Sequence, residues 1–163
     1  MQVVFNHGKE SGPWGIKIKV LAKTAKNVGM GVNSIDYQGM DDPDIRVKKL
    51  LEYIERLSEP FVLVGSSMGG YVATVAAEKD SCKGLFLMAP AFYLGGQADF
   101  DQITPKCKIN IVHGWKDTIV PVENSWRYAK RTHAQLNVVN DDHRLVDSLN
   151  QTNALFKEFL QTL

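Results

Sequence analysis

Six short apolar runs recur along the chain, and between most of them apolar residues return every three or four positions. The runs are Gln2–Phe5, Val32–Asp36, Phe61–Val64, Gly84–Ala89, Lys108–Val112 and Gln135–Val139, and each has the length and composition of a strand. Phe61–Val64 and Leu85–Met88 are almost continuous in apolar residues, as befits strands buried on both faces of a parallel sheet. The intervening periodicity predicts helices over Ile16–Val28, Pro43–Leu57, Met68–Lys79, Glu123–Arg131 and Leu145–Leu160. The second is the most sharply bounded. Asp42 can cap it with Pro43 at its first position, Val47, Leu50, Leu51 and Ile54 share a face, and Ser58-Glu59-Pro60 ends it. Pro90–Lys106 lacks a helical pattern and reads as an irregular loop.

This alternation predicts an α/β fold of three layers, with a mostly or entirely parallel six-stranded sheet between helices and right-handed crossovers. A length of 163 residues suits one domain, 1–163, with a core that needs no disulfides. Composition narrows the partners. With 44% hydrophobic and 23% charged residues the chain resembles ordinary soluble domains. A net charge of +1, with no basic run, favours neither nucleic acid nor an anionic membrane surface. No stretch approaches the roughly 20 apolar residues of a membrane span. The apolar start, Met1 to Gly8, is too short for a signal peptide and reads as a strand, so a cytoplasmic location is expected. Cys82 and Cys107 form no CxxC, and no His/Cys cluster has metal-binding spacing. Two reduced thiols and no metal are expected.

Chemistry concentrates where the strands end. Gly65-Ser66-Ser67-Met68-Gly69 follows the third strand and opens directly into a helix. A serine with glycine two residues away on both sides, at a strand–turn–helix junction, is the nucleophile-elbow pattern. It selects Ser67 over Ser66 and leaves the Ser67 hydroxyl projecting above the sheet. A serine hydroxyl needs a general base near neutrality, and that base needs an orienting carboxylate. Ligands of open parallel sheets bind beyond the carboxyl ends of the strands. The polar residues there are His7-Gly8, Ser66-Ser67, His113-Gly114-Trp115-Lys116-Asp117 and Asp141-Asp142-His143. His143 lies in the polar loop after the last strand and is the expected base. Asp117 is the expected acid. Asp141 and Asp142 compete with it, although carboxylates one or two residues from a histidine rarely present suitable geometry. His7 and His113, beside glycines, are expected to be structural or supporting, and His133 to sit solvated at a helix C-terminus.

The order Ser67, Asp117, His143 resembles that of the α/β-hydrolase superfamily, in particular its small lidless serine esterases and thioesterases. His113-Gly114-x-x-Asp117-x-x-Val120-Pro121 is similar to that family's acid loop, Asp142-His143 to its histidine loop, and Phe5-Asn6-His7-Gly8 to its oxyanion strand end. The resemblance covers nearly the whole chain. It implies a fold that starts at the His7-Gly8 strand, with only Pro90–Lys106 where larger members carry a cap, and therefore an open site. It further implies an oxyanion hole made by the backbone N–H groups of Met68 and Lys9. No cofactor is implied. Trp14, Phe92, Tyr93 and Trp115 are candidate lining residues, each equally well explained by ordinary packing. The substrate implied is a small-molecule ester or thioester.

Two other functions are weighed. Gly65-x-x-x-x-Gly70 has the glycine spacing of a phosphate loop, but Tyr71-Val72 stands where that loop needs Lys-Ser/Thr, and no GxGxxG occurs. A binding or interaction module built on the same fold is the alternative that a serine, acid and histidine set argues against without excluding.

Overall fold

The computed structural model describes residues 1–163. Six strands form one wholly parallel sheet: β1 (Gln2–Asn6), β2 (Gly31–Ile35), β3 (Phe61–Ser66), β4 (Gly84–Met88), β5 (Lys108–Gly114) and β6 (Gln135–Val139), in the order β2-β1-β3-β4-β5-β6. Five helices connect or follow them: α1 (Ile16–Asn27), α2 (Pro43–Ile54), α3 (Met68–Lys79), α4 (Val122–Thr132) and α5 (Leu149–Gln161).

Alternation of side chains along the central strands builds one core on each face of the sheet. Val4, Leu63, Leu85, Leu87 and Ile111 pack with residues of α2, α3 and α4, such as Val47, Leu50, Val72 and Tyr128. Val3, Phe5, Val62, Val64, Phe86 and Val112 pack with residues of α1 and α5, including Leu21, Phe156 and Leu160. Two cores on opposite faces give the expected three layers. Every residue of β3 and β4 is buried, whereas the edge strands β2 and β6 are only partly so.

The direction in which strands are added reverses at β1, where the chain goes out to β2 and returns to β3 on the other side. A crevice opens at such a switch point, above the carboxyl ends of the adjoining strands. Here those ends are His7-Gly8 and Ser66-Ser67. Close approach is obtained with glycine. A Cβ on Gly69 would lie 2.0 Å from the Asn6 carbonyl oxygen, and one on Gly65 would lie 2.3 Å from that of Gly69. Side chains at either place would force α3 away from the sheet.

Local signals act as expected at α2, where the Asp42 carboxylate accepts from the N–H groups of Asp44 and Ile45 at 2.8 and 3.4 Å. The last helix departs from expectation. It begins at Leu149, not Leu145, because the Asp141 carboxylate takes both the N–H and the hydroxyl of Ser148 at 2.7 Å. Leu145 itself has φ 54°, outside the helical region, and is fully buried under the loop. Cys82 and Cys107 are free thiols whose sulfurs lie 3.3 Å apart. No helix is long and apolar enough to cross a membrane.

Candidate active site

Ser67 links β3 to α3 with φ 54° and ψ −120°, a left-handed conformation costly for a residue with a Cβ. Backbone bonds hold it there, among them three to neighbouring turns. Its N–H donates to the Met88 carbonyl, and its own carbonyl accepts from Gly70 and Ala91 at 2.8 and 3.0 Å. The strained turn delivers the hydroxyl to His143, with Ser67 Oγ 2.9 Å from His143 Nε2. His143 Nδ1 lies 2.7 Å from Asp117 Oδ2. These contacts assign the proton. A carboxylate accepts only, so Nδ1–H donates to Asp117, which leaves Nε2 to accept from the serine O–H.

Asp117 is a fully buried carboxylate with four donors. Oδ1 accepts from the N–H groups of Ile119 and Val120 at 2.9 and 2.8 Å, and Oδ2 from His143 and, at 3.1 Å, from His113 Nε2. Burial alone would raise its pKa. The Val120 N–H, His143 and the Ile119 N–H outweigh that effect and hold the carboxyl below the usual range. Asp141 and Asp142 face elsewhere. Asp141 is occupied by Ser148 and the Asp142 N–H, and Asp142 accepts from the Arg144 N–H.

The other histidines take supporting places. His113 is buried, accepts from Ser125 Oγ at Nδ1, and donates from Nε2 to Asp117 and to the Val120 carbonyl. Burial lowers its pKa, which keeps it neutral beside Asp117. His7 is likewise buried, accepts from the Tyr37 N–H at 2.8 Å, and donates to the Gly8 carbonyl at 2.7 Å. Burial lowers its pKa as well. His133 is the exposed αL residue that ends α4.

Met68 and Lys9 both border the groove above Ser67. Neither of their N–H groups is donated to another backbone carbonyl outside the regular ladders. Gly8 brings the first-strand loop against the elbow, since a Cβ there would sit 3.3 Å from Ser67 Cβ. The Lys9 ammonium turns outward to Asp41, 3.7 Å away. One buried residue fixes this loop and went unnoticed in the sequence. Arg46 of α2 donates from Nε to the Met40 carbonyl at 2.7 Å and from Nη1 to the carbonyls of His7 and Gly8 at 3.1 and 3.4 Å. Its guanidinium also lies 5.2 Å from the centre of the Tyr37 ring. The available signal was position: Arg46 stands four residues before Leu50 and eight before Ile54, on the buried stripe of α2.

The groove holds about 570 Å³ and has Ser67 and His143 in its wall. None of the four candidate aromatic residues lines it, so ordinary packing or exposure accounts for them. Phe92 is buried against Phe100 and Tyr128, with ring centres 4.7 and 4.3 Å away, and Tyr93 donates its hydroxyl to Asp101 while Arg127 stacks on its ring. Both thereby clamp the 90–106 loop to the body. Trp14 and Trp115 are outward-facing, Trp115 with 68% of its surface exposed. Much of the apolar wall comes instead from aliphatic residues, among them Ile16, Leu94, Ile119 and Val146. Aliphatic side chains scattered over four loops and helix ends carry no periodic signal. The 90–106 loop contributes Ala91, Leu94, Gly95 and Gly96, and its far side is pinned by Tyr71 and Asp44. Tyr71 donates to Asp44 and accepts from the Ala98 N–H, while the Gln97 N–H donates to Asp44.

Residues 2–99 match the model of the uncharacterised protein family UPF0227. A solved structure of a protein of the alpha/beta hydrolase superfamily from Xanthomonas campestris pv. campestris is 31% identical, covers 99% of both chains and superposes with a TM-score of 0.90. The chain belongs to the UPF0227 family and has the α/β-hydrolase fold. More distant structures share that fold alone. The Pyrococcus furiosus esterase Pf2001 is 16% identical over 99% of the UPF0227 chain and 82% of its own, with a TM-score of 0.85. An alpha-beta serine hydrolase homologue from Coxiella burnetii is 20% identical over 98% and 84%, with a TM-score of 0.79. No curated protein matches the UPF0227 chain. As the sequence implied, the sheet is the minimal six-stranded form without a cap domain.

Proposed function

We propose that the protein is a serine hydrolase of carboxylic esters or thioesters that works through an acyl-enzyme on Ser67. The observation that carries the proposal is the unbroken chain from Ser67 Oγ through His143 to Asp117, at 2.9 and 2.7 Å, opening on an uncapped groove. Ser67 Oγ attacks the carbonyl carbon as its proton passes to His143 Nε2. The negative charge that gathers on the carbonyl oxygen is met by the N–H groups of Met68 and Lys9. His143 returns the proton to the departing alcohol or thiol. Water then loses a proton to the same nitrogen, attacks the acyl carbon and frees the carboxylic acid, and Ser67 recovers its hydrogen. Asp117 holds the Nδ1–H tautomer and stabilises the transient imidazolium, and His113 with the two backbone N–H groups keeps Asp117 ionised and aimed. The reading needs no metal or cofactor.

A binding module would keep the fold without turnover, and kinetics separates the two readings. Mixing the protein with excess 4-nitrophenyl butyrate is expected to release steady-state nitrophenol well above the buffer rate, preceded by a burst of about one equivalent if deacylation is the slower step. Absence of turnover across acetate, butyrate, long-chain and thioester substrates would favour the binding module.

A further inference from the structure

The groove is lined by three cations and one carboxylate. Lys9, Lys17 and Arg144 face it together with Glu10. Lys9 leans to Asp41, but neither Lys17 nor Arg144 has a carboxylate within ion-pair distance, and the Lys17 ammonium makes no hydrogen bond. Lys17 is also poorly placed for stability. It is the second residue of α1, at the end of a helix that disfavours positive charge, and no acidic residue shares that turn. It is largely shielded from solvent, where a charge without a partner is costly. A lysine that contributes only to folding would sit on the outer face of α1, as Lys19, Lys23 and Lys26 do.

Resting on the hydrolase reading, we propose that the groove selects esters carrying a second, anionic group, with Lys17 as its counter-ion and Arg144 as an outer partner. Aliphatic residues of the wall, such as Ile16, Leu94, Ile119 and Val146, would receive the apolar part of such a substrate, leaving its charge to reach Lys17. The alternative is that Lys17 merely balances the carboxylates of the histidine and acid loops. Burial lowers its pKa to about 8, against the pull of Asp141, Asp117 and Asp142 and with a small push from Arg144. The ammonium is therefore lost as pH rises past about 8.

Matched substrate pairs test the proposal. One pair varies the acyl side: the 4-nitrophenyl monoester of glutaric acid against 4-nitrophenyl pentanoate. The other varies the alcohol side: 4-acetoxybenzoate against its methyl ester. Wild type is expected to prefer the charged member of at least one pair, and which pair shows where the anion sits. Lys17→Met should lower kcat/KM for that charged ester by roughly 10-fold or more, chiefly through KM, and leave its neutral partner within about 2-fold. Lys17→Arg should restore part of the preference. Between pH 7 and 9.5 the wild-type preference should fade, while the Lys17→Met ratio stays flat. Equal losses on both members of each pair, or no preference in wild type, would overturn the proposal. The hydrolase reading is judged separately, by wild-type turnover of the neutral esters.

Discussion

Ser67→Ala is expected to lower kcat for ester hydrolysis by at least about 10⁴-fold while shifting the thermal midpoint by no more than about 2 °C. The two halves of this expectation have different origins. Removing Oγ takes away the proposed nucleophile and leaves His143, the proposed base, with nothing to deprotonate at that step. The fold scarcely notices, because the elbow is held by backbone bonds to Met88, Gly70 and Ala91 and not by the hydroxyl. His143→Ala should cost a comparable factor. The double variant should be hardly slower than either single one, since in the proposed mechanism serine and histidine act as a unit and the residual rate would come from binding and the proposed oxyanion donors. Steady-state kinetics alongside melting curves for the three variants checks both halves. A Ser67→Ala enzyme that keeps more than about 1% of its rate would place the nucleophile elsewhere.

Arg46→Met is expected to destabilise the protein by about 4 kcal/mol, lowering the thermal midpoint by roughly 10 °C. Its guanidinium serves three carbonyls, those of Met40, His7 and Gly8, and methionine fills much of the space without donating to any of them. Leaving the carbonyls of Met40 and His7 short of this donor costs about 1–3 kcal/mol each, while the Gly8 carbonyl keeps its bond from His7 Nδ1. The loss is tempered because an expensive buried charge disappears with the side chain, as the burial-lowered pKa of Arg46 indicates. A rate effect should accompany the stability effect. His7 and Gly8 lead directly into Lys9, whose N–H is one proposed oxyanion donor, and loss of one such donor costs about 10²-fold. Arg46 acts through that loop and touches no reacting atom, so Arg46→Met measured well below its midpoint should lose kcat with little change in KM. Lysine should not rescue it, because a single ammonium cannot span three carbonyls as the guanidinium fork does. Denaturant melts and kinetics at low temperature separate the two effects.

The parts of this molecule that were legible in the sequence are those set by periodicity and by steric necessity. Strands β3 and β4 announced themselves through continuous apolar runs because both faces are covered. The elbow was legible because Gly65 and Gly69 stand where a Cβ would strike backbone at 2.3 and 2.0 Å. The last helix was misplaced by four residues because Leu145 fits its apolar stripe. A tertiary bond, from Asp141 to Ser148, decides where the helix starts. The roles of the candidate aromatic residues were left open for a related reason. Phe92 and Tyr93 follow a strand end, which sequence alone cannot distinguish from facing the site, and the space beneath the loop drew them inward to Phe100 and Tyr128. Arg46 and Lys17 were hidden as ordinary helix charges. In each case the clue was a charge in an unfavourable place, on a buried stripe for Arg46 and at the positive end of a helix for Lys17.

In the proposed mechanism Ser67, activated by His143, forms a covalent bond with substrate. Its most direct test is intact mass followed by peptide mapping after treatment with a fluorophosphonate, which phosphonylates activated serines. One adduct per chain is expected, located on Ser67, formed slowly or not at all in His143→Ala and absent in Ser67→Ala. An unmodified wild-type protein, or an adduct on Ser66 or any other residue, would contradict it.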